Sequence, residues 1–335
     1  MKIKNRFLLA CSLMACVLVL ASDASSVAQE KKNLRVIFTS LAWNSELPFR
    51  TALTRGFFKS QGLEIQPIFV RGGPAAMAAL VSGEVDFAEI GGAQAVMRSR
   101  ARGLDVSIIA SLSNATNYQL LGNRSTRTLE DLKGKIIAVT GAGAFSDFAM
   151  RTFLRRRGVD PDKDITLRAI GGSGLRAGAL ERGLVSAAPF APEDTVRLMR
   201  LGFPMIANLS NTVNIPQSIV ATRNEVLERL PDTTKRFLKA LILGIQFAKT
   251  KKADAIRAGY EGGLQGEPEI VSQAYDLYAP ALNTDLSPAI EGFQFMLDED
   301  KRNGVIDSKM TLDRVISDKL LKLAQQELRA EGRLK

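Results

Sequence analysis

Histidine is missing from the whole of this 335-residue chain. Its absence removes the commonest general base, the Ser/His and Cys/His nucleophile systems, and most transition-metal sites. Cysteine is nearly missing as well, and both copies, Cys11 and Cys16, fall near the N-terminus. Beyond residue 16 there is no thiol, disulfide or cysteine-metal chemistry, and stability must come from a packed core. Tryptophan occurs once, as Trp43, and aromatic residues make up only 6% of the chain, too few to interleave with its dispersed Lys and Arg as a nucleic-acid surface requires. No metal, cofactor or nucleic-acid partner is expected. Carboxylates, Lys, Arg, Tyr and hydroxyls remain for chemistry.

What is present begins with an export signal. Lys2, Lys4 and Arg6 precede an apolar stretch at 7–20, and small residues follow up to Ser26, Val27 and Ala28. This is the pattern of a secretory signal peptide over residues 1–28, cleaved near Ala28, and it implies a periplasmic protein. A membrane anchor needs about 20 apolar residues, more than this run supplies. Lipidation at Cys16 ranks second, because Met14 fits a lipobox poorly and the apolar run continues past the cysteine. The remaining chain, roughly 307 residues, is long enough for about two domains. Its charge, near +8 against +10 for the whole sequence, favours anionic partners at long range. The one tight basic run, Arg155 to Arg157, is at an expected helix end and complements the macrodipole there.

Residues 79–88, ALVSGEVDFA, return a hundred positions later as 179–188, ALERGLVSAA. Glycine pairs precede both copies, and Arg50, Thr51 and Leu53 correspond to Arg151, Thr152 and Leu154. Chance is the competing explanation, since Ala, Leu and Gly are common here; two copies are in any case too few for a solenoid. Local signals agree with duplication. Strands are expected at 34–39, 63–70 and 87–90, with helices at 45–60, 74–82 and 93–102 between and after them. The pattern recurs with strands at 135–139, 165–169 and 185–188, and alternation of this kind means βαβ units and a mainly parallel sheet. Residues 106–121 are interrupted by polar Asn114 to Asn117, where a crossing between lobes fits; 217–222 would carry the chain back. Helices follow without strands, at 231–250, 267–278, 288–302 and 311–328, to pack around the first lobe.

Trp43 and Asn44 after the first strand, GFFKSQGLEI at 56–65, ALVSGEVDFAEIGGA at 79–93, DLKGKIIAV at 131–139 and FLRRRGVD at 153–160 together resemble the ABC-transporter solute-binding proteins of the nitrate, sulfonate, taurine and thiamine-precursor group. The resemblance implies a type 2 periplasmic-binding-protein fold: two α/β lobes joined by a hinge, with a ligand cleft between them. Lobe 1 would be discontinuous, 29–115 plus 223–335, and lobe 2 would run from 116 to 222. It also implies a monomer that binds a small solute, anionic or zwitterionic, and delivers it to an ABC permease in the inner membrane. Thiamine-precursor synthases of similar fold use His and Cys, which this chain lacks beyond residue 16.

In parallel sheets ligands lie beyond the carboxyl ends of the strands. Three such places stand out: the loop from Ser40 through Trp43 to Asn44, the corner of Gly91, Gly92 and Gln94, and the turn from Gly141 through Phe145 to Ser146. Each offers backbone N–H groups at a helix start, which suits an anion. A helix end contributes about 0.3–1 kcal/mol, whereas micromolar binding needs about 8 kcal/mol, so apolar contact and further hydrogen bonds must supply most of it. Trp43 reads either as that contact or as a packing anchor. Ser146 reads first as a helix N-cap, and Asn114 either faces the cleft or satisfies hinge backbone. Glu193 and Phe190 occupy about the place where, in many relatives, a second-lobe acidic or aromatic group completes the pocket, although PFAPED is not a close match. An exported enzyme on the same fold, a cyclic-acid dehydratase with Glu193 as general acid, is the runner-up, but no paired acid or base is visible for it.

Overall fold

Among the described residues ten strands form two sheets of five, and the repeated decapeptide occupies the same place in each. The structure, a computed structural model, describes residues 31–70, 72–211 and 215–334. The expected signal peptide and both cysteines lie outside the described residues. In the first sheet the order is β2-β1-β3-β10-β4, formed by Asn33–Phe38 (β1), Glu64–Phe69 (β2), Phe87–Gly91 (β3), Val106–Ser113 (β4) and Ser218–Arg223 (β10). The second sheet, β7-β6-β8-β5-β9, is formed by Gln119–Gly122 (β5), Ile136–Val139 (β6), Thr166–Ala169 (β7), Ala187–Phe190 (β8) and Met205–Asn208 (β9). β1 is parallel to β2 and β3, and β6 to β7 and β8, because a helix links each pair. One antiparallel strand completes each half, β10 beside β3 and β5 beside β8. These two strands follow the crossings between sheets, so each is contributed by chain arriving from the other half. β10 starts at Ser218, so the return to the first sheet precedes the expected boundary at 222/223. β9, a four-residue, half-exposed edge strand, is too short for its apolar run to mark a strand and was not anticipated.

The first helix begins earlier and ends sooner than its pattern suggests. It spans Trp43–Thr54, and a left-handed Gly56 (φ 75°) separates it from a single turn at Phe57–Ser60. Nine of its twelve residues are buried, because it lies between the first sheet and the helices Pro231–Thr250 and Lys252–Glu261. Gly244 permits that approach, as a Cβ there would fall 2.8 Å from Pro48 O and 2.5 Å from Ala52 Cβ. The C-terminal helices do cover the first sheet, forming one apolar cluster with Leu34, Val36, Phe38 and Trp43. The expected last helix starts late, at Lys319, after a 3-10 turn at Leu312–Arg314.

Two contacts close the halves together. Helix Pro192–Arg200 packs on Pro268–Tyr278 through Val196, Ile270 and Ala274, with Arg200 within 3.3 Å of Glu269. On the other side Phe148 and Arg156 meet Phe295 of helix Ile290–Arg302, and Arg155 lies 3.6 Å from Glu299. Arg98 joins this side, holding Asp300 through two 2.8 Å hydrogen bonds while donating to Gly143 O across the cleft.

Candidate functional site

The loops following β1 and β3 meet those following β6 and β8, so the cleft is built from strand carboxyl ends on both sides. The Trp43 N–H, first of its helix, donates to Glu193 Oε1 at 3.1 Å. Phe145 of the second half lies against Gly92 of the first: at φ 78°, a Cβ on Gly92 would be 2.5 Å from the Phe145 ring and 2.7 Å from Gln94 Oε1. Only glycine lets these corners approach. Tyr118, from the crossing segment, stands beside Phe145 with ring centroids 5.8 Å apart.

Among the described residues, the buried side-chain atoms without a hydrogen-bond partner include six around this junction, Asn44 Oδ1, both amide atoms of Gln94, Asn117 Nδ2, Glu193 Oε2 and Tyr278 Oη, the others being Glu46 Oε1, Thr51 Oγ1, Arg55 Nε, Glu89 Oε2 and Thr234 Oγ1 of the first half. A buried polar atom left unpaired costs about 1–3 kcal/mol, and folded proteins rarely tolerate several together except where something else is bound. Burial pushes the Glu193 carboxyl up to about 7, with the neighbouring Asp194 adding to the rise and the N–H groups of Glu193 itself and Trp43 opposing it. Tyr278 is raised by burial first and by Glu193 second.

Two further carboxyls lie behind the first-half wall. Glu89, inside the apolar strand FAEIG, is raised to about 7 by burial against the hydrogen bonds of Ser218 and the Thr39 backbone. Glu46 is raised by burial and then by Glu89, with Arg50 opposing at 3.0 Å. The second half has instead a buried cation. Arg176 donates from Nε and Nη2 to Pro189 O and from Nη1 to Gly171 O and Thr140 Oγ1, between 2.7 and 3.1 Å. Burial lowers its pKa, while Tyr118 and then Asp194 favour its charge. Among the described residues no group of three or more His, Cys, Asp or Glu is arranged to hold a metal.

The expected site residues divide. Gly92, Gln94, Phe145, Glu193, Asn44 and the Trp43 backbone come together as described. The Trp43 ring does not: its Nε1 donates to Gln265 O at 2.8 Å, its edge meets Tyr260, and Gly259 makes room for it, so it anchors the first-half core. Ser40 holds the loop by accepting the Ala42 N–H, and Gly91 donates to Thr39 Oγ1. Asn114 is used up by backbone of the loop before helix Ile290–Arg302 rather than of the hinge, donating to Ser287 O and accepting from Ala289. Ser146 is not the N-cap, since Ala144 holds that position; its hydroxyl staples the Gly141 loop by bonding Thr140. Phe190 is fully buried in the second-half core with Leu121, Leu180 and Phe203. Glu89, Arg176 and Tyr278 were missed. The charge inside FAEIG was the available signal for Glu89, because an unpaired carboxylate is costly in a buried strand.

Comparison with known proteins agrees with this architecture. The NMT1/THI5-like family matches residues 43–255, and the chain belongs to that family. The periplasmic nitrate-binding protein NrtA from Synechocystis superposes with a TM-score of 0.74 at 14% identity, over 91% of each chain. The alkanesulfonate-binding protein SsuA from Xanthomonas axonopodis, solved with MOPS, gives 0.67 at 20% identity, over 88% of this chain and 98% of that one. YtlA of Bacillus subtilis, named as a binding protein, is 22% identical over 241 residues, 69% of this chain and 71% of that protein. The fold is that of the periplasmic binding proteins, with two α/β halves around a cleft.

Proposed function

We propose that this chain is the exported solute-binding component of an ABC importer, closing its two halves on a small organic molecule and passing it to a membrane permease. The observation that carries this is the set of unpartnered polar atoms of Asn44, Gln94, Asn117, Glu193 and Tyr278 at the junction. A bound solute would supply their missing partners, and hinge closure would enclose it. The NMT1/THI5-like membership and the basic, apolar and small-residue segments of 1–28 support export and transport. A carboxyl on one wall favours a solute that presents an N–H there, so a zwitterion or a neutral ring nitrogen fits better than a bare anion. The protein would act as a periplasmic monomer. The test is a thermal-shift screen followed by calorimetry with aminosulfonates, amino carboxylates, aminopyrimidines, alkanesulfonates and nitrate. A solute at ten times its Kd raises stability by about 1.4 kcal/mol; no shift across all classes would sink the proposal.

A second reading has one specific observation in its favour. A carboxyl raised to about 7 suits a general acid near neutrality. An enzyme on this fold would turn over a cyclic hydroxy acid and lose that turnover in Glu193→Gln, whereas a binding protein would show no turnover in either form.

A further inference from the structure

The helix Trp43–Thr54 has no cap of its own. Its N-cap is Ala42, whose side chain accepts nothing, and the N–H at the first helical position goes across the cleft to Glu193. Glu193 is itself the second residue of helix Pro192–Arg200, another N-terminus without a side-chain cap, and its carboxyl is also held by its own backbone N–H. Two helix starts, one from each half, therefore converge on one carboxyl group. Converging N–H groups and dipoles of this kind form an anion-binding arrangement, and here a side chain of the protein occupies it. The remaining oxygen, Glu193 Oε2, is enclosed and unpartnered.

We propose that Glu193 is an inter-lobe latch: it caps the first-half helix from the second half, holds the cleft closed when no solute is bound, and keeps free carboxylates and sulfonates off the paired helix ends. A solute must then either leave the latch in place and bond Oε2 or break it. The residue thus sets both the resting conformation and which end of a solute faces this corner. The proposal goes beyond solute binding and needs no bound solute for its test. The groups facing the carboxyl are Asp194 on its own helix, Tyr118 on the crossing segment and Tyr278 on Pro268–Tyr278, with Arg176 acting on Asp194 and Tyr118.

The experiment is small-angle scattering on solute-free wild type, Glu193→Gln and Glu193→Ala at pH 6, with circular dichroism to verify folding. Wild type and Glu193→Gln, which keeps the acceptor, should be compact, and Glu193→Ala expanded. Sodium acetate titrated against chloride of equal ionic strength should restore compactness to Glu193→Ala and raise its Tm by about 2 °C or more, leaving wild type unchanged. A Glu193→Ala protein as compact as wild type, or an acetate response equal in both, would overturn the latch. If Glu193→Ala does not fold, Glu193→Asp decides: its carboxyl, one methylene short of the Trp43 N–H, should leave the protein expanded where wild type and Glu193→Gln are compact, and equal compactness refutes the proposal. Neither outcome bears on whether wild type binds a solute, which the thermal-shift screen measures separately.

Discussion

The corners at 91–94 and 190–193 stand at the same place in the two sheets, after β3 and β8, yet they are built from opposite materials. The first is two glycines and an amide whose atoms find no partner. The second is a proline-started helix carrying a carboxyl that reaches across to the other half. The difference extends one layer back. At equivalent points of the repeated helix the first half has Ala76 and the second Arg176, both fully buried. Behind the first wall are two buried acids, behind the second a buried guanidinium, so the two walls differ in charge although they share a topology. The repeated topology supplies the frame, and residue chemistry at matched positions makes the two faces unlike.

Exchanging matched residues tests that asymmetry most severely. Arg176→Ala makes the second half resemble the first and removes the guanidinium hydrogen bonds to Pro189 O, Gly171 O and Thr140 Oγ1. With the lost packing, it should cost about 3 kcal/mol or more in urea unfolding; a loss below 1 kcal/mol would mean the guanidinium is dispensable. The reciprocal acid is next. Glu89 is raised in the folded protein to about 7 from an ordinary 4.5. The folded state holds its proton more tightly, so this contribution is complete below about pH 4.5, declines as pH rises, and is gone above about 7. At about 1.4 kcal/mol per unit, the loss is at most about 3.5 kcal/mol. Glu89→Gln should flatten this slope in Tm measured from pH 4.5 to 8. An unchanged slope would assign it to other groups.

Gly92→Ala should separate the corners without unfolding either. The new methyl meets Phe145 and the residue loses an easy positive φ, a penalty of about 1–2 kcal/mol. Solute affinity should fall about tenfold, read by calorimetry once a solute is identified, and the double variant with Phe145→Ala should recover part of it. The smallest effect belongs to Gly174, inside helix Ser173–Glu181, where an added methyl would have nothing within 4 Å. Gly174→Ala should stabilise by roughly 0.5–1 kcal/mol. Gly73→Ala, at the start of the first-half helix Gly73–Val81 and 3.0 Å from Ala95 Cβ, should gain less or lose.

Much of this arrangement was legible in the chain. The echo at 79–88 and 179–188 located equivalent helices, turns and strands, and polar Asn114 to Asn117 marked the crossing, because both depend on local periodicity and composition. The position of Gly92, Gln94, Phe145 and Glu193 at the corners was likewise legible from their place after strands. Trp43 went astray because sequence gives the start of a helix but not the direction of a ring, and the ring's course depends on Gly259, more than two hundred residues away. Tyr278 and Arg176 were invisible for the same reason: each sits in an ordinary helical pattern, and only long-range packing turns it toward the cleft.

The crossings between the sheets are bound to one another as well as to what they connect. Gln217 N–H reaches Ser113 O, Leu209 N–H reaches Tyr118 O, each at 3.0 Å, and the Asn117 N–H meets the Gln217 side chain. In mechanical terms this is a flexure: a ribbon two chains wide, compliant to bending across its plane and stiff to sliding or stretching within it. Such a joint has one soft direction. Halves that parted about such a joint would return along one arc, and opposing corners would meet again in register without any guide but the strap itself.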